Sequence, residues 1–199
     1  MKILISAFKP FNNETINPSL LIADELINQF KKHQIKVLHL NVEYNNDSVK
    51  LIKEIQNFHP DYVICLGQAG GRSKVSLEYF ALNMQSASIK DNNEVFISHN
   101  EIIPNGKEAY KSNIDLIDVV KHIDNEYLTI SYNAGTFICN EIYYNALKYI
   151  DDNKLDTKCV FIHIPFIQSQ INSRPNIPFL SYKDSLNIII DIINYLTKI

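Results

Sequence analysis

Short apolar runs alternate with amphipathic segments along most of the chain. The apolar runs predict strands at residues 2–7, 35–42, 61–66, 127–132 and 158–164. Apolar residues that recur near every 3.6 positions, together with helix-start signals, predict helices at residues 17–30, 49–58, 113–123, 136–149 and 182–196. Residues 84–110 and 168–178 are polar and lack a helical period, which predicts loops, with room for a hairpin in the first.

This alternation of strands and helices predicts the α/β class: one domain over residues 1–199, built as a three-layer α/β/α sandwich around an open, largely parallel central sheet. Ligands of such sheets bind outside the carboxyl ends of the strands. Loops that follow predicted strands lie at residues 8–17 and 67–78 and at the turn before Cys139, and His163 lies at the end of a further strand. We expect the chemistry of the protein at these places.

Composition narrows the classes of partner. Hydrophobic residues make up 46% of the chain and charged residues 21%, as in ordinary soluble globular proteins. The net charge of −3 gives no reason to expect binding to nucleic acid or to an anionic membrane, and the apolar runs are too short to span a bilayer. The 3 cysteines show no metal-binding spacing, which predicts free thiols, no metal site and a reducing cytoplasm.

The segment from Ser131 to Asn140 is the first candidate for chemistry. It is predicted to be a strand end, a tight turn at Gly135 and the start of a helix capped by the Thr136 hydroxyl. Cys139 then lies in the first helical turn, where free N–H groups and the helix dipole favour the thiolate and lower the thiol pKa. The alternative is a small buried residue with no chemical role.

A thiolate nucleophile needs a base and usually a group that orients that base. Of the 6 histidines, His39 and His163 lie inside apolar runs, and spacing does not decide between them. Glu78 follows a Gly-rich segment and is either the orienting group or a surface charge. The Gly-rich segment, residues 67–72, could also bind phosphate, although it lacks the GxxxxGK[ST] pattern.

Taken together and in order, four motifs resemble those of the pyroglutamyl peptidase I family. They are Phe8-Lys9-Pro10-Phe11 with Asn17-Pro18-Ser19, then Gly67-Gln68-Ala69-Gly70-Gly71-Arg72 with Glu78, then the segment from Ser131 to Asn140, and finally Phe161-Ile162-His163-Ile164-Pro165. The resemblance covers about residues 1–170. It implies an open α/β/α sandwich and a cytosolic cysteine peptidase that removes N-terminal pyroglutamate from peptides, without a metal or cofactor.

The resemblance also implies roles for single residues. Cys139 would be the nucleophile, His163 the general base and then acid, and Glu78 the group that orients His163. Positions near the substrate ring would be Phe8, Phe11, Asn17, Gln68, Ile89 and Phe137. Pyroglutamate has lost its amine charge to a lactam, so its pocket should be apolar on the ring faces with few polar groups. Family members are commonly homo-oligomers, which makes a tetramer or dimer the expectation.

The chain departs from the family pattern around the site. The family usually has glycines where this chain has Ala7 and Asn12-Asn13, and an arginine and a proline where this chain has Ser88 and Lys90. The alternative function is therefore a relative that binds other blocked peptide ends, or hydrolyses them, without the family's activity. Retention of Cys139, His163 and Glu78 argues against a purely binding role, because binding alone needs no thiol–imidazole pair.

Overall fold

The computed structural model describes residues 1–172 and 174–198 and contains one six-stranded sheet. Its strands are, in chain order, Lys2–Phe8 (β1), Gln34–Leu40 (β2), Tyr62–Gln68 (β3), Val75–Glu78 (β4), Leu128–Ser131 (β7) and Lys158–Ile164 (β8). Two further strands, Phe80–Leu82 (β5) and Ala109–Lys111 (β6), pair as a separate antiparallel ribbon. The order across the large sheet is β2-β1-β3-β8-β4-β7.

The predicted largely parallel sheet is confirmed. Strands β2, β1, β3 and β8 pair in parallel, and so do β4 and β7. The direction reverses where β4 pairs antiparallel with β8. Strands β1, β3 and β8 are buried on both faces, which explains why they appear in the sequence as continuous apolar runs.

Helices cover both faces of this sheet and complete the predicted three layers. The helices are Pro18–Gln29 (α1), Asn46–Phe58 (α2), Leu116–Ile123 (α3), Ile138–Asp152 (α4), Gln168–Ile171 (α5) and Tyr182–Thr197 (α6). Helices α1, α3 and α6 share one apolar core with one face, and α2 and α4 share the other core with the opposite face. No helix among the described residues has the length and apolar character needed to cross a membrane.

Three local features of the structure differ from those predicted. The short strand β4 was not predicted, because four residues flanked by a Gly-rich loop carry little periodic signal. Residues 168–178, predicted to be loop, begin with the one-turn helix α5. Strand β7, which precedes Cys139 in the chain, is antiparallel to β8. Its carboxyl end therefore lies toward the edge of the sheet opposite to the carboxyl ends of β3 and β8. Residues 132–137 therefore have to lead the chain back to the edge where β3 and β8 end.

Candidate active site

Cys139 is the second residue of α4, as its predicted place in the first helical turn requires. The predicted cap is wrong, because Phe137 occupies the N-cap position and makes no side-chain cap hydrogen bond. Thr136 instead pairs with the loop before β6: its hydroxyl donates to the Ser86 carbonyl at 2.5 Å, and its carbonyl accepts from the Ser86 N–H at 2.8 Å. A hydroxyl that fixes another loop is not free to cap a helix.

Cys139 lies against the carboxyl end of β3, at Gly67. A Cβ placed on Gly67 would lie 3.0 Å from the Cys139 Sγ atom and 2.7 Å from Cζ of Phe161. A side chain at this position would therefore displace the sulfur or the ring. Gly67 pairs in register with His163 on β8, so the same residue brings the thiol and the imidazole to one place on the sheet edge.

His163 is bound to Glu78 across the antiparallel pair β8–β4. The imidazole Nδ1 lies 2.7 Å from Oε1 of Glu78, and both side chains are buried. A carboxylate only accepts hydrogen bonds, so Nδ1 carries the hydrogen and Nε2 keeps its lone pair. His39, the alternative base, is hydrogen-bonded to Asp24 at 2.7 Å on the surface, with both side chains exposed.

Arg72, for which the sequence predicted no role, joins this pair. Its Nη1 atom lies 2.6 Å from Oε1 of Glu78, the oxygen that also accepts from His163. The Glu78 side chain is fully buried, whereas 31% of the Arg72 side chain is exposed. A buried carboxylate is stable only when it is paired, and here two donors share one of its oxygens. The Gly-rich segment therefore supplies a cation to the site.

Burial sets the protonation of both reacting groups. It raises the pKa of the Cys139 thiol above its ordinary value of 9.0, and the Glu78 carboxylate raises it further. Burial also lowers the pKa of His163 below 6.5, against the opposing effect of Glu78. Both pKa shifts favour the uncharged forms, a thiol at Cys139 and a neutral imidazole at His163. The pKa shift of Cys139 is opposite in direction to the one expected from the helix N-terminus, because the loss of solvation outweighs the helix N–H groups.

Several aromatic side chains pack in the same apolar cluster as Cys139. Phe8 is buried at the end of β1, and the Phe11 ring centroid lies 6.2 Å from that of Phe137, just before α4. Tyr44 meets Phe137 edge-on with ring centroids 5.5 Å apart. Two of the predicted ring-facing residues, Phe11 and Phe137, thus lie together, and Tyr44, which was not predicted, lies with them. Its position in the β2–α2 loop carries no motif that could have identified it.

The two predicted polar residues differ in how much of their side-chain hydrogen-bonding capacity is already used within the protein. Asn17 caps α1: its Oδ1 accepts from the Ser19 N–H and hydroxyl, and its Nδ2 donates to the Lys9 carbonyl. Most of its hydrogen-bonding capacity is therefore committed to the loop before α1. Gln68, the last residue of β3, accepts a hydrogen bond from Gln170 on α5 at 2.8 Å.

Ile89 is half-buried in the long loop between β5 and β6, beside the exposed Ser88. Two hydrogen bonds fix the loop: Asp91 accepts from the Tyr44 N–H at 2.9 Å, and Asn92 donates to the Pro10 carbonyl at 3.1 Å. These contacts hold the Ile89 segment between the loops that carry Phe11 and Tyr44.

Comparison with known proteins identifies the family of the chain. The family model for pyroglutamyl peptidase matches residues 1–196. Pyrrolidone-carboxylate peptidase 1 of Caldanaerobacter subterraneus is 36% identical over 200 aligned positions, covering 100% of this chain and 98% of that protein. The pyrrolidone-carboxylate peptidase of Brachyspira hyodysenteriae is 39% identical over 183 positions, covering 91% of each.

Solved structures show the same likeness. Pyroglutamyl peptidase I of Bacillus amyloliquefaciens superposes with a TM-score of 0.89 at 29% identity, covering 96% of this chain and 94% of that one. A mutant pyrrolidone carboxyl peptidase of Pyrococcus furiosus superposes with a TM-score of 0.92 at 30% identity, covering 100% and 99%. With a match along nearly its whole length in both sequence and fold, the chain belongs to the pyroglutamyl peptidase family.

Proposed function

We propose that Cys139, His163 and Glu78 carry out the reaction of this cysteine-type peptidase, the removal of N-terminal pyroglutamate from peptides. The observation that carries the assignment is the 2.7 Å contact between Nδ1 of His163 and Oε1 of Glu78, with Gly67 bringing Cys139 and His163 to one sheet edge. This is the nucleophile–base–orienting group arrangement of acyl transfer.

The uncharged forms of the two groups determine the order of proton transfers. Nε2 of His163 takes the thiol proton as the Cys139 sulfur attacks the pyroglutamyl carbonyl carbon, so a carbon–sulfur bond forms as the imidazolium appears. The imidazolium then gives its proton to the leaving amine, and the carbon–nitrogen bond breaks to leave a thioester. Water, deprotonated by Nε2, attacks that thioester and releases pyroglutamate and the free thiol.

Charge that develops on the carbonyl oxygen needs donors nearby. The first turn of α4 offers the backbone N–H groups of Ile138 and Cys139, at the positive end of a 15-residue helix. Glu78, which is paired with Arg72, stabilises the imidazolium that forms. In this account Glu78 orients His163 and takes no proton itself.

We assign the pyroglutamyl ring to the aromatic pocket beside Cys139. Phe8, Phe11, Phe137 and Ile89 would contact the ring faces, and Gln68 would meet a polar edge of the lactam. Asn17 would act mainly by shaping the loop that carries Phe11, because its side chain caps α1. A pocket of this kind excludes a charged N-terminal amine, which would lose its hydration there without gaining a partner.

Hydrolysis of pyroglutamyl-aminomethylcoumarin tests this assignment. We expect turnover by the unmutated protein, none by Cys139→Ala or His163→Ala, and none with the free-amine glutamyl analogue. The two variants should keep the thermal unfolding temperature close to that of the unmutated protein. Turnover by either variant would contradict the assigned role, and turnover of the glutamyl analogue would contradict the lactam pocket.

We further propose that the chain acts as a single catalytic domain, in the cytoplasm and as a homo-oligomer. The three free cysteines support a reducing compartment. Exposed apolar side chains, including Phe96 at 56% exposure and Tyr132 at 72%, support association between copies. Neither nucleic acid nor a membrane is proposed as a partner. Light scattering on the purified protein measures its mass in solution, and a monomer at micromolar concentration would contradict the oligomer.

A further inference from the structure

The segment from Leu82 to Ala87, which continues β5, forms backbone hydrogen bonds alternately on its two edges. On one edge, Leu82, Met84 and Ser86 are bonded to the turn that carries Cys139. On the other edge, the N–H groups of the intervening residues donate to carbonyls later in the same loop: Asn83 to Glu108 at 2.8 Å, Gln85 to Asn100 at 2.7 Å and Ala87 to Ile97 at 3.1 Å. We call residues 82–87 the bridging segment, because it joins this loop to the Cys139 turn.

Asn140, the residue after Cys139, makes the first connection to the bridging segment through its side chain. Its Oδ1 accepts from the Leu82 N–H at 2.8 Å, and its Nδ2 donates to the Leu82 carbonyl at 2.8 Å and to the Met84 carbonyl at 2.9 Å. The side chain is fully buried. A backbone N–H can only donate and a carbonyl can only accept, so these partners permit one orientation of the amide.

Thr136 makes the second connection, three residues before Cys139. Its hydroxyl donates to the Ser86 carbonyl at 2.5 Å, and its carbonyl accepts from the Ser86 N–H at 2.8 Å. Cys139 therefore lies between two residues that are bonded to the same segment. The N–H groups of Ile138 and Cys139 lie between them as well, in the first turn of α4, where they have no acceptor within the helix.

The bridging segment also leads directly into the part of the loop that is proposed to contact the substrate ring. Ile89 follows the segment by two residues, and Asp91 then accepts from the Tyr44 N–H at 2.9 Å. One stretch of backbone therefore determines the distance between the Cys139 thiol and the Ile89 side chain. A misplacement of about 1 Å between a nucleophile and its substrate is enough to cost about 100-fold in rate.

We propose that Asn140 is a positioning residue for the reaction. By fixing the first turn of α4 to the bridging segment, it sets where the Cys139 sulfur and the N–H groups of Ile138 and Cys139 lie relative to the bound ring. The inference rests on the proposed function, because it takes Cys139 as the nucleophile and these N–H groups as donors to the carbonyl oxygen. Asn140 acts through its neighbours, since its oxygen and its NH₂ group are bonded to the backbone of the bridging segment.

Asn140→Asp tests the proposal with a side chain of nearly the same size. The carboxylate can still accept from the Leu82 N–H, but it has no hydrogen to donate to the carbonyls of Leu82 and Met84 and repels both of them. We expect kcat for pyroglutamyl-aminomethylcoumarin to fall by about 10- to 100-fold, while KM changes by less than about threefold.

Asn83→Asp is the matched control. Asn83 is also buried and also binds backbone with both ends of its amide: its Oδ1 accepts from the Ile103 N–H at 2.9 Å, and its Nδ2 donates to the Ile103 carbonyl at 2.8 Å. It lies in the bridging segment, but its side chain binds the later part of the loop and not the Cys139 turn. This variant should also lower the thermal unfolding temperature, and it should keep kcat within about twofold of the unmutated protein.

Two reagents that alkylate the same thiol separate positioning from a change in thiol reactivity. Iodoacetamide needs neither the ring site nor a donor to a carbonyl oxygen, whereas pyroglutamyl chloromethyl ketone has to bind through its ring and its carbonyl. In Asn140→Asp, the rate of Cys139 alkylation by the ketone should fall by about 10-fold or more, and the rate with iodoacetamide should stay within about threefold. In Asn83→Asp, both rates should stay within about twofold.

The outcomes separate this proposal from the proposed function. If the unmutated protein hydrolyses the substrate and folded Asn140→Asp stays within twofold of its kcat, the positioning role is wrong and the active site stands. An equal loss of kcat in Asn83→Asp, or an equal fall in the two alkylation rates, would also overturn it, since either indicates a general structural effect. Absence of turnover in the unmutated protein would contradict the proposed function itself.

Thr136→Val decides the matter if Asn140→Asp does not fold in a thermal melt. Valine matches threonine in shape, and the variant loses only the hydroxyl bond to the Ser86 carbonyl on the other side of Cys139. We expect about a 3- to 10-fold loss of kcat, as for one hydrogen bond. A Thr136→Val protein with kcat within twofold of the unmutated protein would overturn the proposal.

Discussion

Arg72 and His163 share one oxygen of Glu78: Nη1 of Arg72 lies 2.6 Å and Nδ1 of His163 2.7 Å from Oε1. The shared atom couples the cation to the proposed base. The positive charge of Arg72 contributes to lowering the pKa of His163, after the larger effect of burial, and it also opposes the rise in the pKa of Cys139. The arginine thus helps to keep the imidazole neutral and able to accept a proton.

Arg72→Met should therefore change the pH dependence of catalysis. Without the guanidinium, the pKa of His163 rises toward its ordinary value, so the acid limb of kcat/KM should move to higher pH by a few tenths of a unit to about one unit. At pH 7 we expect about a 10-fold loss, since Glu78 also loses a charged partner. Lys74→Met, which removes an exposed cation from the same loop, should leave the acid limb in place. An unshifted limb in Arg72→Met would contradict the coupling.

Glu78→Gln should lower kcat by about 10²- to 10⁴-fold while the protein stays folded. The new amide can donate to Nδ1, which would move the imidazole hydrogen to Nε2, and a protonated Nε2 cannot accept from the Cys139 thiol. Steady-state kinetics with pyroglutamyl-aminomethylcoumarin measures the loss. Glu43→Gln, a carboxylate of the β2–α2 loop, serves as the control and should retain activity. A Glu78→Gln variant with nearly full kcat would show that the carboxylate does not orient the base.

Much of the fold was predictable because its strands and helices repeat over many residues. The segments that the sequence did not reveal are short or depend on partners far along the chain. Strand β4 has four residues and is defined by its pairing with β8. Arg72 was visible within its motif, but its contact with Glu78 exists only after that pairing forms. The Thr136 hydroxyl could either cap the helix or form a tertiary hydrogen bond. In the folded protein it donates to the Ser86 carbonyl, a partner that the local sequence does not reveal.

The pKa of Cys139 could not be predicted from the helix alone for a related reason. Its place near the helix N-terminus was predictable from the turn at Gly135, and this favours a thiolate. The surrounding side chains and the Glu78 charge act in the opposite direction and are larger. These neighbours come from β3, β4 and β8, so their effect becomes visible only in the assembled site.

Alkylation by iodoacetamide should be confined to Cys139 in the folded protein, because Cys65 and Cys159 are fully buried whereas Cys139 is partly exposed. Since the pKa of the Cys139 thiol lies above 9.0, the thiolate fraction and the labelling rate should rise about tenfold per pH unit between pH 6 and pH 9. Mass spectrometry of timed samples gives both the site and the rate. A rate that levels off near neutral pH would indicate a pre-formed thiolate–imidazolium pair and contradict the neutral resting state.

Gly67→Ala should damage both stability and activity, although it adds one methyl group. The added Cβ would lie 2.7 Å from Cζ of Phe161 and 3.0 Å from Sγ of Cys139, so either the ring or the nucleophile must move. We expect a loss of about 1–3 kcal/mol in the free energy of unfolding and at least a 100-fold loss in kcat, because a displaced sulfur no longer meets both the base and the carbonyl carbon. Urea unfolding and steady-state kinetics measure the two effects.

Gly71→Ala separates packing at Gly67 from a general sensitivity of the loop. Its Cβ would meet nothing within 4 Å, and its cost comes from a φ of +85° alone. This variant should lose about 1 kcal/mol in the free energy of unfolding and keep most of its kcat. If both glycine variants lose kcat alike, the Gly-rich segment acts through its backbone conformation. If Gly71→Ala alone keeps its kcat, the close approach of Gly67 to Cys139 sets the position of the nucleophile.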